Sequence, residues 1–443
     1  MLELDDIQHI LLTRTPAITG RYEFLTFDAP AGGRAWLSEL LDRTQSAAAA
    51  VATMDESDRW VTLAFTWAGL RALGVPEDSL ASFPEEFREG MTSRAAILGD
   101  VGAHAPEHWV GGLAGDDLHA IAILFSRTDE QCRKSIDEHN KLLARIDGVR
   151  SLSYLDLNAT PPFNYAHDHF GFRDRLSQPV MKGSGEEATP GSGDPLEPGE
   201  FILGYPDEDG LVANLPQPEV LSRNGSFMAY RRLAEHVAVF REYLREHSET
   251  PADEDLLAAK FMGRWRSGAP LVLCPTEDDP QLGADPMRNN DFNYKGMDPF
   301  GYACPLGSHA RRLNPRDTAH YMNRRRMIRR GATYGPALPD GAPDDGVDRG
   351  IAAFIICADL VRQFEFAQNV WINDQHFHEL GNEHDPICGA QDGTLDFTVP
   401  KRPIRQVHKG IPAFTTLKGG AYFFLPGLSA MRYLVGLESE EQP

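Results

Sequence analysis

Arg173, Asp174 and Arg175 stand side by side in HFGFRDRLSQP (169–179), a carboxylate between two permanent cations with apolar neighbours on either side. On residue types alone such a group reads as a solvated charged turn, since short charge clusters usually face water. A second stretch, residues 301–335, gathers Arg311, Arg312, Arg316, Arg324, Arg325, Arg326, Arg329 and Arg330 around His309 and His320, in a chain whose net charge is -22. A basic run in so acidic a chain calls for anions: acidic side chains, phosphate, or the carboxylates of a cofactor. His376 and His378 share the spacing of neighbours on one strand face but have no carboxylate at a companion spacing for a metal site. His320, His167 and His169 carry no assigned role.

These residues need elements to position them. RYEFLTFD (21–28) alternates like a half-buried strand, and AWLSELLDRTQSA has helical spacing. VTLAFTWAGLRALG (61–74) starts as a strand and turns helical, LHAIAILFSR (118–127) is a strand, and TDEQCRKSIDEHNKLLARI is a charged helix. That β-α-β-β-α-β rhythm predicts a ferredoxin-like α+β unit with an antiparallel sheet. Residues 182–200 are rich in Gly, Pro, Ser and Glu and form a loop or linker. Beyond it, 224–247 reads as strand then helix, 350–360 as a strand, VRQFEFAQNVWIND as helical and 419–435 as strand-rich. Two related α+β domains are therefore expected, 1–215 and 216–443, the first carrying the Asp174 segment and the 182–200 loop.

At 443 residues the chain is long enough for about two cores. Its acidic surface argues against nucleic-acid or anionic-membrane partners. The start, MLELDDIQHILL, lacks the basic flank of a secretory signal, no apolar run approaches a membrane span, and the five scattered cysteines include no CxxC. A cytoplasmic protein with reduced thiols is expected, and a homo-oligomer is compatible with the sequence.

HFGFRDRLSQP resembles the GxxDG segment of the dye-decolorising peroxidases, and CPLGSHARRLNPR their proximal haem-histidine segment. FTWAGLRALGVPEDSLASFPEEFREGM, GEFILGYPDEDG, MIRRGATYG, RQFEFAQNVWIND and GGAYFFLPGLSAMRYL match in the family's order, over roughly residues 4–436, with the longer bacterial members most alike. The resemblance implies two ferredoxin-like domains holding haem b (iron protoporphyrin IX) mainly in the C-terminal one. It implies a peroxidase that uses H2O2 to oxidise dyes, phenols or other small aromatic donors through a ferryl intermediate. His309 is then the proximal iron ligand, oriented by Asp385 of NEHDPICG, with Glu383 and His384 as neighbouring alternatives. Asp174 is the distal acid-base group and Arg329 the distal cation, with Arg330 one position away. Arg312 and Phe424 are expected at the cofactor.

Two departures bear on turnover. Arg175 replaces the closing glycine of the motif, so its side chain either points away or narrows the distal pocket, and beside Asp174 it would tie the carboxylate into an ion pair. In GIAAFIICAD, Ala352 and Ala353 stand where relatives carry larger groups, with Phe354 able to fill the same place by a shift of one residue. These features motivate an alternative: a haem-binding or biosynthetic haem protein with weak general peroxidase turnover.

Overall fold

Among the residues that the computed structural model describes (1–12, 19–53, 57–158, 167–318 and 321–437), period-2 patterning becomes ten strands. They are β1 (Thr19–Phe27), β2 (Arg59–Phe65), β3 (Ala120–Ser126), β4 (Val149–Asn158), β5 (Ser226–Glu235), β6 (Ile328–Tyr334), β7 (Gly350–Cys357), β8 (Phe397–Val399), β9 (Gln406–His408) and β10 (Thr415–Leu425). The main helices are α1 (Pro30–Leu41), α2 (Asp129–Arg145), α3 (Val237–Glu246), α4 (Pro251–Met262), the short α5 (His309–Leu313) and α6 (Leu428–Val435). Residues 419–435 thus divide into the end of β10 and α6 rather than continuing as strand.

Both halves of the chain use one plan. The first-half strands lie side by side as β4-β1-β3-β2 and the second-half strands as β10-β5-β7-β6, all antiparallel. The expected pair of ferredoxin-like α+β units with antiparallel sheets is present. What the pattern along the chain does not express is how the sheets meet. β4 joins β6 through Leu157 and Tyr334, β2 joins β10 through Phe65 and Phe424, and the eight strands close into one barrel. Closure removes all four exposed sheet edges.

Alternation then sorts side chains into two layers. Tyr22, Phe24, Ile121, Ile123, Met228, Tyr230, Phe354, Ile356, Phe423 and Leu425 fill the barrel interior. Leu25, Phe27, Leu63, Phe65, Phe227 and Phe424 pack outside it with Trp36, Leu37 and Leu40 of α1. The β1–β4 register shifts between Phe24 and Leu25, leaving Leu152 of β4 as the extra residue of a bulge. The outer face of β5, β6 and β7 is left to the functional cavity, covered by α4, α5 and two consecutive π-helical stretches, Leu360–Glu365 and Ala367–Ile372. The 182–200 segment is a loop seated on the body, with Gly199 and Glu200 buried at its end.

Candidate functional site

α5 has only five residues, too short to hold itself together in water. Buried contacts hold it instead. Ser308 donates to the Lys260 carbonyl at 2.5 Å, and Arg311 is fully buried, donating to the Cys304 and Asp298 carbonyls and lying 4.3 Å from the Tyr294 ring centre. Arg312, also fully buried, donates to the Trp371, Asp374 and Glu383 carbonyls at 2.7, 3.2 and 2.8 Å. Its expected place at the cofactor is not found: the guanidinium is consumed in tying α5 to the loop that carries Asp385, and it lies outside the cavity lining.

This scaffold sets His309 on the cavity wall with Nδ1 donating to Asp385 Oδ2 at 2.9 Å. Asp385 is wholly buried, and its Oδ1 accepts from the Ile387 and Cys388 amides at 2.9 and 3.0 Å. Burial alone would raise its pKa, but the His309 ring, these amides and Arg312 outweigh burial and hold the carboxyl below its ordinary value. Glu383 is buried elsewhere and His384 faces the Ala390 carbonyl, so neither competes for His309. Cys388 Sγ lies 3.6 Å from His309 Nδ1, a contact with no advance signal in the sequence. Among the described residues, His309, Asp385 and Cys388 are the one cluster of potential metal ligands; His376 and His378 form none. His320 lies outside the described residues.

The same cavity, about 390 Å³, is lined by the 168–178 loop and by β6. Asp174 faces it with no hydrogen bond or ion pair to any described residue. Arg329 Nη2 donates to the Leu176 and Ser177 carbonyls at 3.1 and 2.9 Å, clamping the loop just after Asp174. Arg330 instead donates to the Ile10 carbonyl at 2.9 Å. Arg175 has φ +65°, the left-handed conformation in which glycine would be unstrained. Its side chain lines the cavity rather than pointing away. The ion pair expected between Arg175 and Asp174 does not form; the charge of Arg175 acts on the buried Tyr22 instead.

β7 settles its register. Ala352, Phe354 and Ile356 point into the barrel, whereas Ile351, Ala353 and Ile355 face the cavity. One alanine therefore widens the site, and Phe354 does not fill its place. Phe424, expected at the cofactor, is fully buried in the outer core against Phe83, Phe87 and Phe227, because β10 turns that face away from the cavity. Thr415 of β10 lines the cavity in its stead.

The basic run resolves residue by residue. Arg324 pairs with Asp207 at 3.1 Å and with Asp209, and Arg325 lies 3.7 Å from the Phe366 ring centre. Arg316 and Arg326 line the cavity. Arg316 donates to the neutral oxygens of Gly191, Ser177 and Asn290, and Arg326 has no side-chain partner among the described residues. Burial, with Arg316 and Arg329 nearby, pulls Arg326 down to about 9. Two further acids on the wall, Asp168 and Glu235, were not legible in advance. Burial raises both, Asp168 to about 7 and Glu235 well above the usual range; Asp174 raises each further, and Asp168 adds to the rise at Glu235.

An imidazole backed by a carboxylate, an apolar slot formed by Ile351, Ala353, Ile355, Phe364 and Ile387, and Arg316 and Arg326, which have no carboxylate in ion-pair contact among the described residues, suit a flat, apolar macrocycle bearing carboxylates and a metal. The fold and site define a haem-type pocket on a closed α+β barrel. Residues 37–153 match the DyP dimeric alpha+beta barrel domain. A dye-decolorizing peroxidase of Mycena epipterygia is 31% identical over 470 residues, 97% of this chain and 86% of that protein. Peroxidase 2 of Mycetinis scorodonius is 33% identical over 405 residues, 84% and 75% of the two. These relatives are fungal; a bacterial one, from Amycolatopsis, is 28% identical over 289 residues. The solved structure of a dye-decolorizing peroxidase in complex with 2,6-dimethoxyphenol superposes with a TM-score of 0.87 at 28% identity, covering 99% of this chain and all of that one. An ancestral D-type dye decolorizing peroxidase gives the same TM-score over 98% of this chain. The chain belongs to the dye-decolorizing peroxidase family, a family of haem enzymes, and is a peroxidase.

Proposed function

We propose that the chain binds haem b in this cavity and uses H2O2 to oxidise small aromatic donors, phenols and dyes among them. The observation that carries the reading is one cavity holding His309, with Nδ1 committed to Asp385, together with Asp174 and Arg329. His309 Nε2 would hold the iron, since the Asp385 bond fixes the proton on Nδ1 and leaves the Nε2 lone pair available. Arg316 and Arg326 would receive the propionates. Bound haem supplies the redox metal at which peroxide is reduced. Asp174, unengaged by donors among the described residues, accepts a proton from one peroxide oxygen and returns it to the departing one. The Arg329 guanidinium, held by two carbonyls, stabilises the negative charge that develops as the O–O bond breaks.

The test is rapid mixing of the haem-loaded protein with H2O2. Wild type should show a fast Soret change, and Asp174→Asn should slow it by about 10²–10⁴-fold at unchanged haem content. A wild-type protein with haem confirmed in place and no spectral response to peroxide would overturn the reading.

A further inference from the structure

Asp168 and Glu235 reach the same spot from distant parts of the chain. Asp168 opens the loop that carries Asp174, and its Oδ1 accepts from the Phe172 amide at 2.8 Å. Glu235 ends β5, and its Oε2 accepts from the amide of His169, the residue next to Asp168, at 3.1 Å. Both carboxyls line the cavity, and Glu235 is only 6% exposed.

The surrounding charges do not neutralise them. Within the loop, Arg173 donates to the Gly283 carbonyl at 2.7 Å, His169 faces the Tyr334 carbonyl, and His167 is shifted toward its neutral form by burial, with Arg173 adding to the effect. After α4, Arg266 is engaged by the Phe170 carbonyl and Asp255, and its charge offsets the burial of Asp168 only in part. From the segment before β7, Arg349 donates to the Pro336 carbonyl and is paired with Asp345 at 2.7 Å. Among the described residues neither Asp168 nor Glu235 has a cation within ion-pair distance, and Asp174 adds a third carboxylate to the wall. Two poorly hydrated carboxyls without a counter-cation cannot both ionise at low cost; they retain a proton.

We propose that Asp168 and Glu235 form a carboxyl pair that stores a proton on the cavity wall and delivers it to Asp174 during turnover. The role rests on the reading of Asp174 as the proton-transfer group. Its chemistry balances: reducing H2O2 to two waters breaks one O–O bond, forms two O–H bonds, and takes two electrons from the aromatic donor together with two protons. Asp174 gives one proton up and becomes a carboxylate. Starting with both carboxyls protonated, the pair reprotonates it, becomes singly ionised, and regains a proton from water reaching the cavity; a second such cycle supplies the second proton. Asp168 and Glu235 are positioning residues, acting through Asp174.

Infrared spectroscopy at neutral pH, in H2O and D2O, reads the stored proton directly. The wild type minus Asp168→Asn/Glu235→Gln difference should contain a protonated-carboxyl C=O band that shifts in D2O, and Asp174→Asn should retain that band. With haem loaded, the alkaline limb of donor turnover should move to lower pH in the double variant and return toward its wild-type position in Glu235→Asp, which keeps a carboxyl. If the double variant does not fold, wild type and Glu235→Gln give the same spectral comparison. Absence of the band from the difference, or an alkaline limb that does not move, overturns the proposal. Unchanged peroxide reactivity in Asp174→Asn overturns the reading of Asp174 and proton delivery with it, while the band separately decides whether the pair holds a proton.

Discussion

Replacing Asp385 by asparagine isolates what the carboxylate does for His309. Asparagine Oδ1 can still accept from the Ile387 and Cys388 amides, so the loop keeps its two backbone bonds. The other position changes sign, because an NH2 group in place of Oδ2 can only donate. It donates to Nδ1 of His309, the imidazole proton moves to Nε2, and the lone pair that would meet iron is lost. Removing such an outer partner costs about 10–100-fold in metal affinity, which corresponds to roughly 1.4–2.7 kcal/mol. Asp385→Ala should behave differently: it strands the two amides, each at about 1–3 kcal/mol, and unfolds the loop as well. Haem titration of the apoprotein followed at the Soret band, beside thermal melts of both apoproteins, separates the effects. Asp385→Asn should weaken haem binding with little change in melting temperature, whereas Asp385→Ala should lower both. Wild-type haem affinity and an unchanged histidine-ligation spectrum in Asp385→Asn would refute the assignment of His309 Nε2 to iron.

Arg326→Leu should have opposite effects on apo and loaded protein, removing a half-buried cation with no side-chain partner among the described residues while deleting a proposed propionate partner; a higher apo melting temperature with weaker haem binding is expected, and a lower apo melting temperature would argue against it. Arg175→Gly replaces a side chain that lines the cavity at φ +65°, so KM for a bulky dye should fall more than KM for a small phenol, and equal KM values in variant and wild type would place the guanidinium outside the donor's path. Asp168 gives a pH dependence with a definite sign: its folded pKa, about 7, lies above the unfolded value of about 3.9. Its contribution to apoprotein stability is thus complete at pH values below the unfolded one and is lost as pH rises through about 7. Melting temperatures from pH 5 to pH 8 should decline more steeply in wild type than in Asp168→Asn, and parallel curves would count against a shifted Asp168.

The contrast between what the chain shows and what folding adds is clearest at the corrected residues. Arg312 stands in a segment of cofactor-facing character, yet its donors are taken by carbonyls 59 to 71 positions away. Phe424 alternates correctly as a strand residue, but alternation alone does not say which face meets the cavity and which meets the outer core. The same uncertainty on β7 disappears once pairing with β5 and β6 sets its register, leaving Ala353 toward the site and Phe354 inside the barrel. Asp168 and Glu235 carried no signal because each is an ordinary acid locally; only their convergence makes them unusual.

The sequence by itself determined the strand and helix order of two α+β units and placed Asp174, His309, Asp385 and Arg329 in segments that match one family, because periodicity and motif spacing are local properties of the chain. Tertiary structure alone decided that the two sheets close into one barrel and that Asp385 meets His309 across 76 residues. It also decided that Arg175 lines the cavity without pairing to Asp174 and that two acids share a wall with it. Those outcomes depend on burial and on partners brought from distant segments, and the free energy of a charge or hydrogen bond is set by that surrounding rather than by the residue's own type.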